Sequence, residues 1–197
     1  SPYIIESKSL KLYFNSLNNT HFKSMPEITA IIKKDIEDLL KINVNVDILP
    51  LDHNLHHSIL AAPPGLCIDG LDVSCESYTV TPNLLCASDE IVDETLYSNV
   101  LKSNCLVTKQ PDWGTLLIHY KGPKISQAGL LQYIVSFRNH NEFHEQCIER
   151  IFIDIMQHCK PHSLTLEGRY SRRGGIDINP CRTTDKNYSF SNRRLVR

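Results

Sequence analysis

LLIHYKGPKISQAGLLQYIVSFRNHNEFHEQCIERIFIDIM, residues 116–156, changes its apolar period partway along, and that change sets the fold. Leu116-Leu117-Ile118-His119-Tyr120 reads as a strand. Leu130, Leu131, Ile134 and Val135 then fall at helical spacing. Phe143, Ile148, Ile151, Phe152, Ile155 and Met156 line a second helix, and Leu164, Leu166 and Tyr170 alternate as a strand beyond it.

The same order occurs upstream. Tyr3-Ile4-Ile5 reads as the end of a strand, and Leu10, Tyr13, Phe14 and Leu17 mark a helix. Ser24-Met25-Pro26-Glu27 is a capping-box pattern with proline in the first turn. It opens a helix striped by Ile28, Ile31, Ile32, Ile36, Leu39 and Leu40, after which Val44, Val46 and Ile48 alternate as a strand. Leu17 with Phe137, Asp35 with Asp154, and Val44 with Leu164 stand at a nearly constant offset of about 120 positions, which points to tandem duplication. Between the copies, 53–64 is loop-like and ends in the breaker Pro63-Pro64-Gly65. Short strand-like runs follow from Val73 to Val80, 82–93 is polar and irregular, and Pro111-Asp112-Trp113-Gly114 reads as a turn. The expected organisation is a first module at 1–52, a connecting segment with short strands at 53–94 and a second module at 95–197. The first copy has almost nothing before its helices, so its module is expected to lack strands.

The 197 residues are 41% hydrophobic and 22% charged, with a formal net charge of −1. That is an ordinary composition for a chain that buries a core, and it argues against a general nucleic-acid or membrane-surface binder. No apolar run reaches membrane-spanning length and no signal-peptide pattern opens the chain, so the cytoplasm is the expected compartment. Seven cysteines, an odd number with no C-x-x-C pair, make neither a zinc framework nor a secreted disulfide scaffold. His53, His56 and His57 match no metal-binding spacing and read as a polar loop, so no metal is expected.

Four segments carry candidate chemistry, each with a plainer reading beside it. Cys105 lies seven positions before Asp112; a thiolate with an acid across a turn suits nucleophilic catalysis, but spacing alone favours a buried cysteine and a turn aspartate. His144 and Glu145 open a long helix, where a solvated first turn is the alternative. Glu6-Ser7-Lys8-Ser9 places hydroxyls and cations at a helix start, either for a phosphate or simply as a serine cap with surface lysines. Arg172-Arg173-Gly174-Gly175 suits a phosphate, or is an ordinary basic loop; it is no dinucleotide fingerprint.

Taken in order, these segments resemble one family. Glu6 to Tyr13, Ser103-Asn104-Cys105 with Gln110 to Gly114, Phe143-His144-Glu145-Gln146, and Arg172 to Pro180 are similar to the blocks of the 7-cyano-7-deazaguanine reductases, the nitrile reductases of queuosine biosynthesis. The Glu6 motif precedes the cysteine, as in long, two-module members, which carry a further stretch before that motif. The resemblance implies an α+β tunnelling fold: antiparallel strands with helices on one face, closed into a barrel across modules. It further implies a cytoplasmic homodimer acting on a small deazapurine, without direct nucleic-acid contact. Cys105 would attack the nitrile to give a covalent thioimide, Asp112 would donate a proton, and His144 would assist orientation or proton transfer. Two NADPH molecules would supply the hydrides. Ile5, Glu6, Ser7, Phe143, His144 and Glu145 would contact the base, and Ser7, Lys8, Arg173 and Gly174 would hold the cofactor. A zinc-dependent cyclohydrolase-like enzyme and a catalytically silent purine-binding module are the alternatives.

Overall fold

The structure, a computed structural model, describes residues 3–48 and 63–188; the His53, His56 and His57 loop lies outside them. The chain divides into two compact units, Ser1–Leu55 and His56–Arg197.

Among the described residues, the smaller unit contains two helices. α1, Ser7–Leu17, is capped by Glu6, whose carboxylate accepts the N–H groups of Lys8 and Ser9 at 3.0 and 2.8 Å. α2, Met25–Leu40, starts at the Ser24 cap and stops at Lys41, which takes the left-handed conformation with φ 55°. Glu27 closes the anticipated capping box one residue early, accepting the Lys23 N–H at 2.7 Å. The Tyr13 hydroxyl donates to Asp35 at 2.8 Å and ties the helices together. Residues 3–6 and 43–48 form no strand. The Val44 N–H donates instead to the Glu37 side chain. Alternation becomes a strand only with a ladder partner, and none pairs with it among the described residues.

The larger unit is a five-stranded sheet whose strands lie side by side in chain order. They are β1, Leu66–Cys67; β2, Ala87–Asn104; β3, Pro111–Ile125; β4, Ser163–Tyr170; and β5, Cys181–Thr183. β2 to β5 pair antiparallel, and β1 alone lies parallel to β2. α3, Gln127–Val135, and α4, His144–His158, pack on one face. Alternation along β3 turns Leu116, Ile118 and Tyr120 to this face, where they are fully buried with Leu96, Leu101, Leu164, Leu166, Leu130, Ile134, Ile148, Ile151 and Ile155. Gly168 admits the close approach of α4, since a Cβ there would stand 2.6 Å from Ile148 Cδ1. On the opposite face, a buried Glu167–Arg169 ion pair at 2.9 Å lines a cavity of about 280 Å³. This sheet with helices on one face bears out the α+β class.

Three sequence expectations need correction. Residues 73–80 form no strand. Residues 87–93, expected to be irregular, are the first part of β2: they are polar because they are almost wholly exposed, and Glu90 meets Lys124 of β3 at 3.0 Å. β2 therefore runs through position 95, where the second module was expected to begin. Pro111-Asp112-Trp113-Gly114 is not a turn but the start of β3, with Asp112 opposite Ser103 and Gly114 opposite Leu101. Proline fits there because the first residue of a strand need not donate to the ladder. The turn lies just upstream, at 105–110.

Candidate active site

The β2–β3 hairpin builds the site. Its six-residue loop is closed where the Cys105 N–H donates to the Gln110 carbonyl and the Lys109 N–H donates to the Cys105 carbonyl, both at 2.9 Å. Lys109 takes φ 59° to turn the chain back. Cys105 is part-buried. Burial pushes its thiol up, but the Thr108 hydroxyl and the Thr108 and Val107 N–H groups donate to the sulfur and bring the balance below the ordinary cysteine value. The charge of Asp112 opposes them. Cys147, Cys159 and Cys181 go the other way: burial pushes them up to about 12, 11 and 11. A donor-rich loop around one part-exposed thiol is the environment of a nucleophile.

Asp112 is 4% exposed and faces the helices, on the same side of β3 as Leu116. Burial raises its carboxyl, but His144 and Arg173 hold it below the usual aspartate value. His144 Nε2 lies 3.3 Å from one carboxylate oxygen, close enough for an ion pair but not aligned as a hydrogen bond. Arg173 donates to the other oxygen at 2.5 Å and also to the Gln110 side chain.

α4 reaches the hairpin through the segment before it. The Asn104 N–H donates to the His140 carbonyl at 2.8 Å, and the Glu142 N–H donates to the Asn104 carbonyl at 3.2 Å. This strap pins residues 140–142 to the end of β2. Phe143 is the N-cap of α4, so His144 and Glu145 form its first turn. The His144 ring rests on Tyr170 of β4, centroids 4.0 Å apart. Glu145 is half-buried.

Cys105, Asp112, His144 and Arg173 thus gather in the larger unit, with Phe143 and Glu145 on the same helix start as His144. Ile5, Glu6, Ser7 and Lys8 stand in the smaller unit at the start of α1, where the Glu6 carboxylate acts as the cap. Gly174 occupies a turn closed by reciprocal Arg173–Ile176 backbone bonds, with φ 57°. Thr108, Gln110 and Tyr170 have supporting roles that sequence reasoning did not assign. A turn-forming threonine and glutamine beside a candidate nucleophile were the only available signal. Among the described residues, no three His, Cys, Asp or Glu side chains are grouped so as to hold a metal ion, and no helix is long and apolar enough to cross a membrane.

Comparison with known proteins agrees with the motif order. The family model described as nitrile reductase, 7-cyano-7-deazaguanine-reductase N-term, matches residues 1–48, and that of the QueF-like proteins matches 111–189. The NADPH-dependent 7-cyano-7-deazaguanine reductase of Legionella pneumophila (strain Lens) is 57% identical over 198 residues, covering 100% of this chain and 70% of that protein. The enzyme of the same name from Coxiella burnetii (strain Dugway 5J108-111) is 49% identical over 197 residues, with the same two shares. A solved archaeosine synthase, QueF-Like, aligns with 49% of this chain and 94% of its own at 15% identity and a TM-score of 0.42, too distant to bear on fold or function. The identity across the whole of this chain is decisive: the chain belongs to the NADPH-dependent 7-cyano-7-deazaguanine reductase family.

Proposed function

We propose that the chain reduces the nitrile of 7-cyano-7-deazaguanine to the primary amine of 7-aminomethyl-7-deazaguanine through a covalent thioimide on Cys105, as a step towards queuosine in tRNA. The observation that carries the mechanism is the lowered Cys105 thiol with the buried Asp112 carboxyl and the His144 ring beside it. Asp112, ionised at rest, takes the Cys105 thiol proton as the sulfur adds to the nitrile carbon, and passes it to the nitrogen. His144, whose ring packs at a tilt against Tyr170, stands beside that carboxyl and can relay the proton. Covalent capture divides a difficult reduction into two easier steps.

Two NADPH molecules, bound in turn, would supply one hydride each, with the Cys105 thiol leaving after the first to free the imine that the second reduces. The chain offers the cofactor Lys8, exposed at the start of α1, and Arg173 with Gly174 in the glycine turn. Arg173 is 37% exposed, so one guanidinium edge could meet a phosphate while another stays on Asp112. Glu6 and Glu145, with Ile5, Ser7 and Phe143 near them in sequence, accept hydrogen bonds from the N–H groups of the base, since ionised carboxylates are pure acceptors. The family motifs support these assignments. The same proposal includes a cytoplasmic homodimer, which light scattering would test.

Mixing the protein with 7-cyano-7-deazaguanine in the absence of NADPH tests the mechanism. One substrate mass is expected on the intact protein and none on Cys105→Ala. An adduct that persists in the variant would remove Cys105 from its role.

A further inference from the structure

Asp112 is a buried carboxylate, and such a group needs partners. Among the described residues it has one firm hydrogen-bond donor, Arg173, which comes from a turn 61 positions later. That turn is built to hold the arginine: reciprocal Arg173–Ile176 backbone bonds close it, and Gly174 and Gly175 take φ 57° and 82°. Nothing lies within 4 Å of where a Gly175 Cβ would be, so glycine there serves backbone conformation rather than space. The same guanidinium donates to the Gln110 side chain, and the Gln110 carbonyl accepts the Cys105 N–H. One side chain therefore grips both the carboxylate that opposes Cys105 ionisation and the residue that closes the Cys105 loop. Arginine can do this because its fork serves two acceptors at once, which an ammonium does less well.

We propose that Arg173 is a positioning residue for Cys105: its guanidinium ties Asp112 to Gln110, fixing the loop and cancelling the aspartate's charge at the sulfur. The proposal goes beyond phosphate binding, needs no bound cofactor, and rests on Cys105 as the nucleophile. The charged groups around the loop are Asp112 from β3, His144 from α4, Arg173 from the glycine turn, and Lys109 and Lys102 on the loop and its flanking strand. The Lys102 ammonium is already held by Asn104 and the Arg138 carbonyl.

The test is the pH dependence of Cys105 alkylation by iodoacetamide in the full chain, without substrate or cofactor, read on the Cys105 peptide by mass spectrometry. Arg173→Ala should raise the midpoint by about one pH unit, roughly a tenfold loss of labelling rate below it, as expected when a nearby opposite charge is removed. Arg173→Lys should fall between. In an Asp112→Asn background the same Arg173→Ala change should shift the midpoint far less, since there is no charge left to cancel. An unmoved midpoint in Arg173→Ala, with its circular dichroism intact, would overturn the proposal. So would an equal shift in both backgrounds, which marks general disturbance of the loop. A parent thiol with ordinary titration would count against Cys105 as nucleophile, while the Arg173-dependent shift would still decide the clamp.

Discussion

The Tyr133 hydroxyl donates to the Asp154 carboxylate at 2.6 Å, joining α3 to α4, and about 120 positions upstream Tyr13 makes the same bond to Asp35 between α1 and α2. The N-caps repeat as well: Glu6 and Ser126 precede the first helix of each unit, and Ser24 and Phe143 the second. A shared helix pair with the same polar rivet is stronger support for duplication than spacing alone.

The two rivets should differ in strength. Tyr133 is fully buried whereas the Tyr13 bond is exposed. Tyr133→Phe should cost roughly 1.5–3 kcal/mol, the range for a hydrogen bond to a charged partner, and Tyr13→Phe should cost less. Urea denaturation of both variants checks the order; equal losses would contradict it. Burial and Asp35 push Tyr13 up to about 12. Its contribution should be complete below pH about 10, the unfolded value, and fade as pH rises through the folded one.

Asp112 should mark acid stability. Its carboxyl is lowered in the folded state, so its contribution is full above about pH 4, the unfolded aspartate value, and is lost as pH falls through the depressed one. Asp112→Asn should flatten the loss of stability below about pH 4. Thermal melts across pH 2–6 in the two proteins would show it, and parallel curves would count against the Arg173–Asp112 pair.

Thiol chemistry should separate the cysteines. At neutral pH Cys105 should react with iodoacetamide before Cys147, Cys159 and Cys181, whose thiols burial pushes up. Peptide mapping after brief labelling reads the order. Early labelling of Cys147 in folded protein would contradict it.

Glu6 poses a sharper question, because its carboxylate already caps α1. Glu6→Ser keeps a good cap but removes the charge. If Glu6 also reads the base, affinity for 7-cyano-7-deazaguanine should fall roughly ten- to a hundredfold on a Cys105→Ala background, the equivalent of about 1.5–3 kcal/mol, with helix content unchanged. Calorimetry and circular dichroism together decide; unchanged affinity leaves Glu6 a cap alone. Glu145→Gln should weaken binding similarly, from the half-buried first turn of α4.

Gly129 should not tolerate a side chain. A Cβ there would lie 2.3 Å from the Leu84 carbonyl oxygen, a backbone atom. Gly129→Ala should destabilise by about 1–3 kcal/mol despite alanine's better helix propensity. A rise in melting temperature would show that the approach is not tight.

The elements legible in the sequence are those whose pattern and environment agree. α3, α4, β3 and β4 each bury one side or most of both, so Leu130, Ile148, Leu116 and Leu166 announced them. The first half of β2 did not, because an exposed ladder leaves no apolar trace. Pro111 to Gly114 misled because its composition is that of a turn, while pairing with Leu101 to Asn104 fixes it as strand. Val44 to Ile48 misled in the opposite sense, with alternation but no ladder partner among the described residues. In the site, Cys105, Asp112 and His144 were legible as a set through family motifs. The roles of Gln110 and Thr108 were not, although Gln110 lies in a family block, because a carbonyl, a hydroxyl and a loop closure have no signature in one dimension.

The strap between Asn104 and residues 140–142 makes the tip of β2 and the start of α4 one cooperative piece. Asn104 uses both its N–H and its carbonyl there, while β3 holds the hairpin on its other side. In amide hydrogen exchange, the Asn104 and Glu142 protons should open at a common rate, apart from the faster tip at Leu106 and Val107. A substrate touching either flank would slow both, so protection would spread across residues 38 positions apart in the chain without any contact having to reach that far.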